Sequence, residues 1–302
     1  MGWIILLYAG FGSVFTFSKL ALGVSEPFFL IGSRMFLAGG LLLGYLALTD
    51  RNALKLSKNA FKLALLLGAL NIYLTNAFEF WGLQYLTSFK TCFIYSLSPF
   101  ASALLSYFLF SERMTNKKWL GLLIGFSGFI PLFVSHSDEE LKAGTLFNLS
   151  WAEISVAMAA LTSVYGWILL KQLVSEERVP FLAANGYSMA IGGFIALIHS
   201  FATETWNPVP VSDYSTFLFG FGALLLISNF MCYNLYGWLL KSFSATFLSF
   251  SGFLTPIFSA LFGWYFLGET IDLPFYLSAA IVFSGLMIFY QEEIALVPLP
   301  KK

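Results

Sequence analysis

Four ionisable side chains lie within long apolar stretches of the sequence, where a charge is costly unless it has a function. They are Lys19, Arg34, Glu79 and Lys90. Glu79 is the only carboxylate well inside such a stretch, and Asn76, three residues earlier, shares its helix face. Glu79 could hold a positively charged substrate group, with Asn76 beside it, or it could pair with a neighbouring cation.

Each of the cations has a structural and a functional interpretation. Lys90 could be the structural partner of Glu79, or it could hold a substrate carboxylate. Lys19 and Arg34 lie in the outer portions of their predicted helices, where snorkelling or bonding to a helix end would explain them. Of these two, Arg34 is the second candidate for a substrate carboxylate.

A polar stripe follows one face of the apolar stretch 88–110. Its members, spaced by four, three and four residues, are Thr91, Tyr95, Ser98 and Ser102. A later apolar stretch carries Asn229 and Tyr233, again four residues apart. Serine and threonine are typical of close helix packing in membranes. Because Tyr95, Asn229 and Tyr233 are too large for that, we predict that they line a substrate cavity.

The cysteines and histidines do not form the pattern of a catalytic or metal centre. Cys92 and Cys232 lie in apolar runs without a second cysteine nearby, which favours buried packing thiols. His136 and His199 are at predicted helix ends, and we expect neither to meet a carboxylate cluster. The sequence therefore predicts no catalytic residue, metal or cofactor. Its net charge of zero argues against nucleic acid as a partner.

The composition places most of these residues in a lipid bilayer. The chain is 58% hydrophobic and 11% charged, whereas a soluble domain carries about 25% charge. A membrane-spanning helix needs roughly 20 mostly apolar residues. Ten windows meet that condition, at about 2–22, 28–48, 61–81, 88–110, 117–135, 150–170, 182–201, 216–240, 244–267 and 274–291. The sequence predicts an all-α integral membrane protein with ten transmembrane helices.

The distribution of lysine and arginine predicts the orientation. With a cytoplasmic N-terminus, twelve basic residues fall on the inner connections and Lys142 alone falls on the outer ones. Cytoplasmic connections carry the excess of basic residues. We therefore predict that both termini are cytoplasmic, most simply in a bacterial inner membrane.

An internal repeat divides the chain into two copies. Segment 98–132 recurs as 255–289, at a constant offset of 157, with ten of 35 positions identical. The repeated residues include Pro99 and Pro256, which we expect to loosen their helices at midspan. Five helices per copy is an odd number, so the second copy would enter the membrane from the opposite side. Inverted repeats of this kind recur in secondary transporters.

The predicted organisation follows from the repeat. It comprises a first five-helix repeat at 1–135, a connecting loop at 136–149, a second five-helix repeat at 150–291 and a cytoplasmic tail at 292–302.

The sequence resembles the drug/metabolite transporter superfamily and its EamA-type members, which include an S-adenosylmethionine-transporter branch. The matching pieces are Gly12–Lys19, Arg34–Gly39, Ser98–Arg113 and Trp119–Gly128, with the last pair repeated near the C-terminus. The resemblance covers nearly the whole chain. It implies ten helices with both termini inside, and a substrate among amino acids, nucleosides, nucleotide sugars or S-adenosylmethionine.

These observations favour an alternating-access carrier, either an exchanger or a facilitated carrier, of a small zwitterionic metabolite. An amino acid or an S-adenosylmethionine-like compound fits one buried carboxylate, one or two cations and several tyrosines. A nucleotide-sugar or nucleoside carrier is the alternative, although a diphosphate would need more basic residues. A non-transporting membrane scaffold or receptor is a further alternative, which the short loops disfavour.

The predicted orientation is directly testable. A reporter that is active only outside the cytoplasm, fused after Lys302, should remain silent because the C-terminus stays inside. Activity of that reporter in intact cells would refute the predicted topology.

Overall fold

The computed structural model describes residues 2–110, 114–134, 136–239, 248 and 251–294, and these are mostly helical. The α-helices are α1 (Gly2–Leu22), α2 (Pro27–Thr49), α3 (Lys58–Leu67), α4 (Thr75–Tyr85), α5 (Ser88–Tyr95), α6 (Ser98–Phe110), α7 (Asn116–Ser127), α8 (Ile130–Val134), α9 (Asp138–Lys142), α10 (Trp151–Ser175), α11 (Phe181–Thr203), α12 (Tyr214–Ala223), α13 (Tyr233–Leu239), α14 (Leu254–Leu267) and α15 (Leu273–Ile294). A first π-helical segment, Gly68–Leu74, joins α3 to α4, and a second, Leu224–Cys232, joins α12 to α13. A 3-10 turn (Arg51–Leu54) follows α2, and an antiparallel hairpin of β1 (Thr145–Leu146) and β2 (Leu149–Ser150) precedes α10.

Eight helical stretches within the described residues are long and apolar enough to cross a membrane. They are Gly2–Leu22, Pro27–Thr49, Lys58–Tyr85, Asn116–Val134, Trp151–Ser175, Phe181–Thr203, Tyr214–Cys232 and Leu273–Gln291. Two of the ten predicted spans are not among them. The span at 88–110 is interrupted between α5 and α6, and the span at 244–267 lies partly outside the described residues, which leaves α14 as a shorter apolar helix.

Both interruptions lie next to the repeated prolines. Helix α5 ends at Tyr95, and α6 begins at Ser98, so that Pro99 is in its first turn. Residues 252–253 form a turn, and Pro256 is in the first turn of α14. Proline has no amide hydrogen, and its ring clashes with the preceding helical turn. The predicted loosening at these two positions is confirmed.

The described chain divides into two compact units, and each draws helices from both sequence halves. Unit 1 comprises Met1–Thr16, Tyr85–Ile154 and Ile227–Lys302, and unit 2 comprises Phe17–Gln84 and Ser155–Leu226. The predicted boundary at 136–149 concerns the internal repeat and does not coincide with this spatial division. Residues 136–149 hold α9 and most of the hairpin.

Unit 2 is built around close contact between α2 and α11. A methyl group added at Gly32 would lie 2.7 Å from the backbone nitrogen of Leu197, and one added at Gly186 would lie 2.9 Å from Leu43. Because only hydrogen fits between Gly32 and the Leu197 backbone, glycine allows the two helices to pack at backbone distance. Residue numbers rise along α2 as they fall along α11, so the two helices are antiparallel.

The same contact is repeated with the helices exchanged. Gly39 faces Ala190, and Gly193 faces Phe36. Gly193 follows Gly39 by 154 residues, and Ala190 follows Phe36 by the same interval. The contact of Gly39 with Ala190 thus recurs as the contact of Gly193 with Phe36, with the two helices exchanged.

Unit 1 contains a second antiparallel pair, formed by α7 and α15. A methyl group added at Gly121 would lie 2.6 Å from the nitrogen of Phe289, and one added at Gly128 would lie 2.8 Å from the nitrogen of Val282. Gly285, the repeat counterpart of Gly128, packs against Gly125. Gly128 and Gly285, which the sequence offset of 157 relates, therefore both lie in this contact.

Two glutamates satisfy helix N-termini, where backbone amides lack helical partners. The Glu204 carboxylate accepts hydrogen bonds from the backbone N–H of Phe28 (2.6 Å) and Phe29 (2.9 Å) at the start of α2. Glu269, one of the repeated residues, accepts hydrogen bonds from the backbone N–H and the hydroxyl of Ser88, both at 2.7 Å. Negative charge at a helix N-terminus is stabilising, so these residues fasten α2 and α5.

Neighbouring glycines on α2 provide a matched test of the packing. Gly39→Ala places a methyl group against the Ala190 backbone and should lower stability by about 1–3 kcal/mol. Gly40→Ala meets nothing within 4 Å and should leave stability unchanged or slightly higher, because alanine is the better helix former. Thermal unfolding midpoints in detergent measure both, and equal midpoints would contradict the close α2–α11 contact.

Candidate functional site

The first π-helical segment lies immediately before the polar residues of α4. Thr75 donates its backbone N–H to the carbonyl of Leu70, five residues earlier, and its hydroxyl lies 3.1 Å from the same carbonyl. The Thr75 hydroxyl also lies 2.8 Å from that of Thr162 on α10. Such π-helical turns are rare and concentrate at functional sites. In this chain the segment is followed directly by Asn76 and Glu79.

Arg34 from α2 is held in a fixed position inside unit 2. Its Nη2 donates to Oδ1 of Asn76 at 2.9 Å, and its guanidinium lies 5.3 Å from the centre of the Phe80 ring. The Asn76 amide in turn donates to the carbonyl of Ile72, within the π-helical segment, at 2.8 Å. The Asn76 side chain therefore connects the irregular backbone to the guanidinium.

Glu79 is buried one helical turn beyond Asn76. Arg34 is the cation that interacts electrostatically with its carboxylate. Among the residues that the structure describes, none donates a hydrogen bond to Glu79. Buried carboxylates in native structures are normally hydrogen-bonded, because an unsatisfied one is costly. The structure thus brings Arg34, Asn76 and Glu79 together and leaves the carboxylate able to accept hydrogen bonds from a ligand.

The other predicted cavity residues belong to unit 1. The ring of Tyr95, at the end of α5, packs 6.1 Å from that of Phe15, and the ring of Tyr233 packs 6.4 Å from that of Phe11. Phe11 and Phe15 are one turn apart on α1, so that helix meets both tyrosines. Asn229 is buried within the second π-helical segment.

The expected pairing of Lys90 with Glu79 is corrected. Its ammonium lies 2.7 Å from the Glu140 carboxylate and 2.8 Å from Oε1 of Glu153, and all three side chains are at most 5% exposed. Two buried carboxylates therefore balance Lys90, and neither is the predicted partner Glu79. A cation so compensated has little to offer a substrate carboxylate, which leaves Arg34 as the candidate for that role.

The expectation for His136 is also corrected, because it does meet a carboxylate cluster. Its Nε2 lies 3.3 Å from Oε2 of Glu153, and potential ligand atoms of His136, Glu140 and Glu153 lie within 4.8 Å of one another. The spacing would suit a metal ion. However, the Lys90 ammonium already supplies a positive charge to both carboxylates, so the arrangement is an ion-pair cluster.

Sequence signals for both missed glutamates were present. Glu140 and Glu153 are each the fourth residue of a Ser-x-x-Glu sequence, which is typical of a helix N-terminus. The backbone N–H of Glu153 donates to the Ser150 hydroxyl at 3.1 Å, and the backbone N–H of Ser150 donates to the Glu153 carboxylate at 2.7 Å. These local signals identify caps, but they do not predict that both glutamates reach Lys90.

Comparison with known proteins places this architecture in a family. The model of the EamA-like transporter family matches residues 1–134 and 150–291, most of the chain. The chain belongs to the EamA-like transporter family. It is accordingly an integral membrane transporter, not an enzyme, and its apolar helices agree with that setting.

Several relatives have descriptive names. The chain is 41% identical over 282 residues to a Chlamydia trachomatis serovar L2 protein named S-adenosylmethionine/S-adenosylhomocysteine transporter, covering 93% of this chain and 86% of that protein. A Chlamydia muridarum protein with the same name is 40% identical, with coverages of 93% and 88%. A crystal structure at 17% identity has a TM-score of 0.66 and covers 98% of this chain and 96% of its own, which shows that the fold is shared.

The Asn76 bridge can be tested by a substitution of similar size. Asn76→Leu removes an acceptor from the buried guanidinium and should cost about 1.5–3 kcal/mol, the usual range for a hydrogen bond to a charged group. Gln84→Leu, at an exposed position of the same helix, is the control and should have little effect. The two thermal unfolding midpoints in detergent give the comparison, and a stable Asn76→Leu variant would contradict the bridge.

Proposed function

We propose that this chain is an alternating-access carrier, operating by exchange or facilitated transport, of an S-adenosylmethionine-like zwitterion. The observation that carries the proposal is the buried Glu79 carboxylate, which lies near Arg34 and accepts no hydrogen bond from a described residue. A carboxylate and a guanidinium in one buried site are complementary to a molecule that bears both charges. The two chlamydial relatives are named for such compounds.

The proposed binding arrangement follows from charge. Glu79 accepts hydrogen bonds from the substrate ammonium or lies against its sulfonium, and Arg34, held by Asn76, receives the carboxylate through charge-assisted hydrogen bonds. Tyr95, Asn229 and Tyr233 remain proposed substrate contacts on the sequence pattern, because tyrosine rings can stack on a heterocycle. Lys90 is not included, since Glu140 and Glu153 compensate its charge.

Ten helices in two inverted repeats, 1–135 and 150–291, are the proposed framework for alternating access. The antiparallel pairs α2–α11 and α7–α15 support it, because an inverted repeat requires equivalent helices to run in opposite directions. The two π-helical segments support it as well, since their first residues are separated by 156, close to the offset of 157 found in the sequence. We further propose that 136–149 connects the repeats outside the membrane and that 292–302 is a cytoplasmic tail.

Uptake into proteoliposomes tests the function. Vesicles loaded with S-adenosylhomocysteine should accumulate radiolabelled S-adenosylmethionine, whereas empty vesicles should take it up only if the carrier also works by facilitated transport. Uptake of a nucleotide sugar or a nucleoside without uptake of S-adenosylmethionine would replace the proposed substrate. A failure to transport any of these or the common amino acids would refute it.

Glu79→Gln tests the charge at the site. The amide keeps size and hydrogen-bonding capacity but removes the charge, which should weaken substrate binding by about tenfold or more, equivalent to roughly 1.5–3 kcal/mol. Glu176→Gln, at an exposed position after α10, is the control and should bind normally. Equilibrium binding of labelled substrate to purified protein is the measurement, and unchanged affinity in Glu79→Gln would refute the binding role.

A further inference from the structure

The hairpin of β1 and β2 lies at the junction of two membrane-spanning helical stretches. One stretch, Asn116–Val134, ends shortly before it, and the next, Trp151–Ser175, begins directly after it. The backbone N–H of Trp151 donates to the carbonyl of Gly144, the residue before β1, at 3.0 Å. The hairpin is therefore fastened to the first residue of a span, so it lies where that span meets the membrane surface.

One face of the hairpin is turned away from the protein. Thr145 pairs with Ser150, and Leu146 pairs with Leu149. Side chains alternate between the two faces of a strand. Because Ser150 is fully buried, the face that carries it is directed toward the protein. Leu146 and Leu149 are on the opposite face, and Leu146 is exposed.

The turn of the hairpin carries an aromatic residue in an unfavourable position. Phe147 and Asn148 have backbone φ angles of 51° and 72°, and positive φ at both central residues is typical of a type I′ turn. Asparagine tolerates this conformation, whereas a bulky side chain rarely adopts it. Phe147 is also 92% exposed. In water this position would suit glycine or asparagine, so a phenylalanine here indicates apolar surroundings.

Further exposed apolar residues flank the hairpin along the chain. Val134 is the last residue of α8, Leu141 is in α9, and Trp151 is the first residue of α10. All three are exposed. Tryptophan is enriched where membrane spans meet the interface. Exposed apolar side chains thus occur at the end of the first span, in the segment between the spans and at the start of the second.

The backbone of the hairpin limits how deeply it can enter the membrane. A two-stranded sheet has two open edges, whose N–H and C=O groups face away from the partner strand. Open sheet edges do not occur in the hydrocarbon region of a bilayer, because nothing there satisfies them. Asp138 and Glu139, exposed at the beginning of α9, also require water. The headgroup layer therefore suits the hairpin, with only apolar side chains directed toward the acyl chains.

We propose that Leu146, Phe147 and Trp151 form a lipid anchor that holds the hairpin in the headgroup layer, with the Phe147 ring among the first acyl carbons. The bilayer is the partner of this surface, because the hairpin directly adjoins two spans that the bilayer surrounds. Interfacial segments bury their apolar side chains about 5–10 Å into the boundary between headgroups and acyl chains. The lipid anchor is independent of the proposed substrate and of Glu79.

The lipid anchor also acts on α5 through the ion pairs described above. Glu140, before the hairpin, and Glu153, after it, both contact the Lys90 ammonium in the first turn of α5. Those carboxylates connect both ends of the hairpin to that helix. By holding the hairpin at the membrane surface, the lipid anchor fixes the level at which α5 begins.

Spin labels on the full chain in proteoliposomes test the lipid anchor. Both native cysteines, Cys92 and Cys232, are buried, so a cysteine introduced at an exposed position takes the label selectively. A nitroxide on Phe147→Cys should be severalfold more accessible to oxygen, which dissolves in lipid, than to the water-soluble nickel chelate NiEDDA. Glu139→Cys, exposed in the same segment, is the matched control and should show the reverse.

A second reporter measures the contribution of Phe147 itself. A nitroxide on Asn148→Cys keeps Phe147 in place and should be partly shielded from NiEDDA. Adding Phe147→Asn should raise its accessibility to NiEDDA severalfold, because the hairpin loses its largest apolar side chain. Asparagine tolerates the left-handed backbone, so this double variant should fold normally.

Three results would overturn the proposal. A label at position 147 that is as accessible to NiEDDA as the label at position 139 would place the hairpin in water. A label at position 147 that is shielded from both NiEDDA and oxygen would show that protein, such as a second copy of this chain, covers the surface. Unchanged accessibility at position 148 after Phe147→Asn would show that the phenylalanine does not hold the hairpin in the membrane.

Discussion

Backbone-to-backbone contact between antiparallel helices is the interaction on which the rest of this structure depends. In a bilayer the lipid is as apolar as leucine, so helices associate through close packing and hydrogen bonds rather than through the hydrophobic effect. Gly39 and Gly193 allow α2 and α11 to approach closely, and Gly121 and Gly285 do the same for α7 and α15. The α2–α11 pair lies in unit 2, and the α7–α15 pair lies in unit 1. Arg34 of the candidate site is on α2 itself, so the first pair helps to position it.

The second constraint is the free-energy cost of a charged side chain away from water. Lys90 and Glu79 are both buried, but their charges are compensated to different extents. Lys90 is compensated within the protein by Glu140 and Glu153, so its role is to join segments of the chain. The positive charge of Arg34 interacts with the Glu79 carboxylate, but no described residue donates a hydrogen bond to that carboxylate. This difference between a compensated and an incompletely satisfied charge is the physical reason why we propose substrate recognition at Glu79 and not at Lys90.

Local and periodic features of the sequence predicted much of this arrangement. The burial of Arg34 and Glu79 followed from their positions within apolar stretches, and the interruption before Pro99 followed from proline's missing amide hydrogen. The partners of Lys90 were not predicted, because Glu140 and Glu153 are about 50 or more positions away from it in the sequence and only the folded chain brings them together. The π-helical segments were also missed, since Gly68–Leu74 has the composition of an ordinary apolar helix.

Ligand-dependent stabilisation of the purified wild-type protein tests the central claim most directly. A ligand that binds only the folded state at about 100 times its Kd adds roughly 2.7 kcal/mol to stability. The account predicts that S-adenosylmethionine and S-adenosylhomocysteine raise the thermal unfolding midpoint in a concentration-dependent manner, whereas a nucleotide sugar does not. A midpoint that rises with the nucleotide sugar and is unchanged by both adenosyl compounds would contradict it.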